Sequence, residues 1–280
     1  RRNPIITTTL AGILMAMMPS ALHPQAPKDD PNTALAKATQ NPVADLISLP
    51  FQFNFNTGGG FEDRTFFLLN FQPVIPVKGL LQRWNIIART IIPYVSMPVG
   101  ATRQGGLGDI QGQFFFTPAK PGGLIWGVGP QFSVPTATAD AVATGSWALG
   151  PTGLVLKSSG PWVAGALINN VWTFADQGDA PEVNQFLLQL FINYNFGKGW
   201  ALASAPIITA NWDAPNGEEW TVPLGLGFSR TTAFNNRPMT IGVQYYHNVE
   251  HPTASAADVL RVQISLLYPP RPKSGREQLP

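Results

Sequence analysis

The 280-residue chain contains no cysteine, so neither a disulfide framework nor a thiolate metal site is open to it. Charge is scarce as well: Asp, Glu, Lys and Arg make up 12% of the residues, about half the share usual for a soluble globular protein. Three histidines leave little material for a Ser–His–Asp or His-ligated metal centre. The formal net charge is only +2, and no basic run precedes the short tail, so nothing argues for a nucleic-acid partner and none is expected. Beyond the N-terminal stretch no run of about 18 apolar residues exists, so a transmembrane helix is excluded too.

Glycine and proline are abundant, at 27 each, aromatics reach 11%, and mean hydropathy is +0.03. A disordered chain would lack the aromatics, and a water-soluble one would lack the charge to cover itself. These features point to a strand-rich protein whose outer surface faces something other than water.

The start reads Arg1-Arg2-Asn3-Pro4, an apolar stretch from Ile5 to Met18, then Pro19-Ser20-Ala21. A charged beginning, a short apolar core and small residues predict a secretory signal peptide over 1–22; the other reading is a short buried helix or anchor. Residues 23–42, broken by Pro24, Pro27 and Pro31, read as a periplasmic leader in which 33–39 forms a turn or two. Barrel strands are expected over 43–269, followed by a tail over 270–280.

From Leu46 the hydrophobic period becomes two. Phe51, Phe53 and Phe55 alternate with Gln52, Asn54 and Asn56, and Phe67, Leu69 and Phe71 with Asn70 and Gln72. Ile110, Phe114 and Phe116 alternate with Asp109, Gln111 and Gln113. Phe186 to Phe196 alternate with Gln185, Gln189, Asn193 and Asn195, and Leu260 to Leu266 with Arg261, Gln263 and Ser265. Strands with one greasy and one wet face follow. Weaker candidates fall near 83–96, 123–135, 146–157, 162–175, 199–212, 219–229 and 238–249. About twelve strands result, most near or beyond the roughly 9–11 residues that a tilted strand needs to cross a membrane and longer than a globular strand. The predicted fold is all-β: a transmembrane, antiparallel up-and-down β-barrel in the outer membrane of a Gram-negative bacterium.

Two patterns support this reading. Trp84, Trp126, Trp162 and Trp200 fall at one set of strand ends, and Trp147, Trp172, Trp212 and Trp220 at the other, as expected of two membrane-interface belts. Loops alternate between a short, Lys-bearing set (Lys78, Lys120, Lys157, Lys198, with Arg230 and Arg237 in its longer last member) and a mostly longer acidic set (Glu62/Asp63, Asp140, Asp176/Asp179/Glu182, Asp213/Glu218/Glu219, Glu250/Asp258). The acidic set is assigned to the outside, because such barrels keep their short turns in the periplasm.

The wet face is expected to line the lumen. It comprises the amides Gln52, Asn54, Asn70, Gln72, Gln111, Gln113, Gln131, Gln185, Gln189, Asn193, Gln244 and Gln263. Arg89, Asp109 and Arg261 are its main charges, and Tyr246 and Phe115 its aromatics. Ion-selective pores use charged rings, so an amide lining suits neutral or amphipathic solutes. His247-Asn248-Val249-Glu250-His251 matches an inverted zinc-protease motif, but that chemistry needs a helix, and here the motif ends a strand at Pro252. The glycine runs 58–60 and 105–108 read as flexible loops, lacking the strand–loop–helix setting of a phosphate cradle. No catalytic residue, metal or cofactor is assigned.

The blocks Gln40-Asn41-Pro42-Val43-Ala44-Asp45-Leu46, Asn70-Phe71-Gln72-Pro73-Val74, Arg89-Thr90-Ile91-Ile92-Pro93, Gly106-Leu107-Gly108-Asp109, Phe114-Phe115-Phe116-Thr117-Pro118, Leu149-Gly150-Pro151-Thr152 and Glu219-Trp220-Thr221-Val222-Pro223 occur in order. Over about 40–268 the chain thereby resembles the bacterial outer-membrane barrels labelled "transporter" or "neuromedin U", similar to the MetA-pathway of phenol degradation family. The resemblance implies a β-barrel and a passive route for small molecules. The expected function is an outer-membrane channel for small, weakly charged solutes, aromatic or hydrophobic ones among them, with membrane lipid as the other partner. The alternative is a sealed barrel, plugged by side chains or by the leader, with a structural or surface-recognition role.

Overall fold

The computed structural model describes residues 29–59, 63–77, 81, 83–120, 122–176, 182–235 and 237–268. The expected signal peptide, the start of the leader and the tail from 270 lie outside the described residues.

One helix, α1 (Pro31–Thr39), precedes fifteen strand segments: β1 (Ile47–Thr57), β2 (Phe66–Phe71), β3 (Val74–Val77), β4 (Trp84–Val99), β5 (Thr102–Leu107), β6 (Ile110–Pro118), β7 (Ile125–Val134), β8 (Ser146–Ser159), β9 (Trp162–Asp176), β10 (Asn184–Gly197), β11 (Trp200–Ser204), β12 (Ile207–Asn211), β13 (Trp220–Phe234), β14 (Arg237–Glu250) and β15 (Asp258–Tyr268). Segments β2 and β3, β5 and β6, and β11 and β12 each continue one strand, giving twelve antiparallel strands in the wall. β1 pairs with β15 from Ile47↔Tyr268 to Thr57↔Asp258, and this seam closes the barrel. Closure leaves no open edge of unpaired backbone groups, the condition for a sheet to sit in hydrocarbon.

The alternation read from sequence is realised as inside and outside. Gln52, Asn54 and Asn56 are buried while Phe55 is exposed. Leu224 is 58% exposed, Phe228 56% and Val243 49%; so continuous an apolar exterior is untenable in water and apt against lipid. All eight tryptophans lie on it. The ring at the end where β1 begins and β15 ends, the terminal end, holds the T-shaped pair Trp84–Trp126, and the ring at the opposite, loop end holds Trp212–Trp220.

The three interruptions have physical causes. Pro73 and Pro206 lack the N–H that a ladder needs, and at Gly108-Asp109 the chain kinks to admit the β7–β8 loop. The glycine run at 105–106, expected to be a loop, is instead part of β5. A methyl on Gly106 would sit 2.7 Å from Thr138 Oγ1, so glycine here makes room for that loop; Thr138 N–H donates to Leu107 O at 2.9 Å.

The leader fills part of the mouth at the terminal end. Pro31 opens α1, and Asp30 caps it, accepting from the Asn32 and Thr33 N–H groups; proline in the first turn with an acidic cap is a strong start signal. Asp30 Oδ2 also accepts from the Lys198 N–H of the β10–β11 turn at 2.8 Å. Gln40 and Asn195 exchange reciprocal amide hydrogen bonds. Val43 then enters an apolar cluster inside the barrel with Ile87, Phe115, Leu154, Leu156 and Leu167.

The Thr33 hydroxyl, followed by the Lys198 N–H, holds the Asp30 carboxyl below its ordinary value. A depressed folded-state pKa contributes stability that is present above the unfolded value, about 3.9 for aspartate, and is lost as pH falls through the folded value. Hydrogen exchange of the α1 amides is therefore expected to quicken below about pH 4 while exchange in the wall strands stays slow. Equal exchange in α1 at pH 3 and pH 6, after correction for intrinsic rates, would contradict this anchoring.

Candidate functional site

Alternation along β1, β4, β6, β7 and β15 sends an amide or guanidinium inward at one level of the wall, where they join into a belt. Arg89 is its origin. One Arg89 Nη donates to Gln113 Oε1 at 3.2 Å, and the other to Gln72 Oε1 at 2.6 Å. On one side Gln113 Nε2 donates to Gln131 Oε1 at 2.6 Å. On the other, Gln72 donates to Gln52 at 2.9 Å, Gln52 to Gln263 at 3.0 Å and Gln263 to Ser265 Oγ at 3.1 Å. A guanidinium has donors and no acceptor, so Gln72 and Gln113 must present oxygen to it. Every amide further along is thereby oriented with its NH2 group pointing away from Arg89.

A second lumenal cluster is built on the Pro206 interruption. Ala205 turns both of its backbone polar groups inward, where its N–H donates to Tyr246 Oη at 2.9 Å and its carbonyl accepts from Arg261 Nη1 at 3.2 Å. Arg261 Nε donates to Asn54 Oδ1 at 2.9 Å, and its guanidinium lies 5.0 Å from the Tyr246 ring centroid. Buried backbone groups must find partners, and these two side chains supply them. The Tyr246 hydroxyl in turn donates to Gln244 Oε1.

Asp109 is buried, but it does not pair with Arg89. Its carboxylate accepts the Thr136 and Ala137 N–H groups at 2.9 and 3.0 Å, the Thr144 N–H at 2.7 Å and the Thr144 hydroxyl at 2.5 Å. It is the anchor that folds the 135–145 loop over the loop end of the barrel.

Two chambers follow from this layout. One, of about 160 Å³, lies toward the terminal mouth between the leader and the wall; Arg89, Gln189, Asn193 and Gln244 face it, with Phe191, Val74 and Leu267 as apolar lining. The other, of about 230 Å³, lies toward the loop end and is faced by Asp109, Gln111, Gln131, Gln185 and Asn169. Asn169 Nδ2 is buried there without an acceptor among the described residues. Cavities near 150 Å³ take a benzene-sized guest, so each chamber has room for one monocyclic solute. Asn70 pairs directly with Gln52 and shares its inward face.

Sequence reasoning missed that one side of the lumen is apolar. Ile87, Phe115, Leu154, Leu156, Val163 and Leu167 are all at most 5% exposed and pack together. The available signal was the weakness of alternation in 153–156 and 162–168: a strand with apolar residues on both faces is buried on both. His247 and His251 do not converge. His247 points outward from β14 with Nδ1 2.9 Å from Asp258 Oδ1, and His251 Nδ1 lies 2.9 Å from its neighbour's Pro252 carbonyl. The motif lies on a strand end, without the helix that would place both rings and Glu250 on one face.

No protein-family model matches the chain, and no curated protein does. Among solved structures it is similar to the COG4313 outer membrane channel from Pseudomonas putida F1, at 12% identity and a TM-score of 0.58, over 80% of this chain and 94% of that one. It is also similar to the NanC porin, at 12% identity and a TM-score of 0.49, over 79% and 98% of the two chains. The first likeness shows a shared fold, and with the apolar exterior it identifies the chain as a bacterial outer-membrane β-barrel.

Proposed function

We propose that the barrel is a channel for passive passage of small, weakly charged and partly apolar solutes, and that it belongs with the phenol-degradation-pathway barrels its sequence resembles. The observation that carries this reading is the two-sided lumen, an oriented amide belt facing an apolar wall, with two chambers each large enough for a single-ring solute. Such a lining recognises shape and hydrogen-bonding groups. The tryptophan rings then mark the two membrane interfaces, with the leader at the periplasmic mouth and the acidic loops outside. The likeness to an outer-membrane channel supports the same reading.

Purified full-length protein in planar bilayers is expected to give discrete conductance steps, and proteoliposomes are expected to swell in benzyl alcohol or phenol. Silence in both assays across salt, voltage and pH would overturn the channel reading.

A further inference from the structure

Two guanidiniums face the lumen, and they are held differently. Arg261 is absorbed by the frame through Asn54, the Ala205 carbonyl and the Tyr246 ring. Arg89 touches two amide oxygens and faces the chamber of about 160 Å³. Among the described residues no carboxylate lies within ion-pair distance of either. Asp109 belongs to the other chamber, and its oxygens are taken by the loop.

A half-buried cation without a counter-ion inside a membrane-embedded barrel is costly. A neutral amide at position 89 would continue the hydrogen-bonded belt of glutamines without that cost. The belt also fails to neutralise Arg89: its amide oxygens point back toward the guanidinium, so the donor ends face outward and positive potential extends along the wall. Each NH2 carries two N–H donors, of which the belt uses one. Beside this positive strip the same chamber presents Phe191, Val74 and Leu267. A costly, unpaired charge in a membrane-embedded lumen marks a solute pathway.

We propose that Arg89 is a solute-binding residue that gives this chamber a subsite for a single carboxylate, so that the preferred solutes are small monoanions with an apolar body. This rests on the channel reading and names the solute class. The guanidinium N–H groups not used by Gln72 and Gln113 take the carboxylate oxygens, and the body lies against the apolar lining.

The test uses the full chain in planar bilayers and proteoliposomes, with potassium benzoate, benzamide and benzyl alcohol as probes. Wild type is expected to pass anions over potassium by about threefold or more, the scale of one screened charge at a few ångströms. Arg89→Lys keeps that preference. Arg89→Gln, checked for assembly by its heat-modifiable gel mobility, loses it. Independently of any variant, benzoate is expected to slow benzyl alcohol entry into wild-type liposomes, whereas benzamide at the same concentration does not. Conductance without anion preference, unchanged selectivity in assembled Arg89→Gln, or equal slowing by benzoate and benzamide overturns the carboxylate subsite and leaves the channel standing. Absence of both conductance and swelling overturns the channel, and the subsite with it.

Discussion

Replacing Asp109 with alanine is expected to raise single-channel conductance and make it noisy. The carboxylate holds four donors of the 135–145 loop, three backbone N–H groups and the Thr144 hydroxyl, at 2.5–3.0 Å. Hydrogen bonds to a charged acceptor contribute about 1.5–3 kcal/mol each, and the loop has few other ties, chiefly Thr138 to Leu107 and Thr136 to Ile110. Losing even about 3 kcal/mol shifts the closed-to-open ratio of the loop by roughly a hundredfold. A segment that opens locally need not unfold the wall, so the barrel is expected to assemble normally. Asp109→Asn keeps one acceptor oxygen without the charge and should fall between the two. Single-channel recordings decide: a conductance and noise level identical to wild type in Asp109→Ala would show that the loop does not limit the mouth.

A large effect on assembly is expected at Gly227. It lies on the inner face of β13 opposite Gln244, where β13 and β14 approach so closely that a methyl would sit 1.9 Å from the Val243 carbonyl oxygen and 2.5 Å from Gln244 Cα. Both obstacles are backbone, so no rotamer change relieves them. The strand pair must separate, breaking ladder hydrogen bonds that have no water to replace them in the membrane. Gly227→Ala is expected to destabilise the barrel by about 3 kcal/mol or more, the upper range for overpacking. Gly122→Ala is the control, because nothing lies within 4 Å of a Cβ there and its φ is not positive. Urea unfolding in vesicles, read by tryptophan fluorescence, should show a large loss of stability for the first and none for the second. Equal midpoints for Gly227→Ala and wild type would show that the wall can relax at this seam.

Much of the architecture was legible in the sequence because a barrel wall is a local pattern. A strand in a membrane must show lipid one face and the interior the other, so Phe51–Gln52–Phe53–Asn54 declares its orientation within four residues. Tryptophans at both strand ends and short turns opposite long loops are equally local. Strand number and span followed from them, and the observed segments begin and end near the expected positions.

The contents of the lumen were less legible, because they depend on which strands face each other across the barrel. Inward amides were identifiable one by one, but not that Arg89 orients five of them, Gln131, Gln113, Gln72, Gln52 and Gln263, into one chain that ends at Ser265. The charges at Arg89 and Asp109 sit on neighbouring strands, and sequence left open whether they pair. The structure separates them, since the kink at Gly108-Asp109 commits the carboxylate to the loop. The apolar half of the lumen was hidden for a related reason: β8 and β9 are apolar on both faces, and periodicity cannot tell which face meets lipid. Sequence by itself determined a membrane barrel of about twelve strands with a wet interior, because burial against lipid is written residue by residue. Only the tertiary structure decided where that interior is polar, where it is greasy and where it carries an unpaired charge, because those properties arise from contacts between residues far apart in the chain.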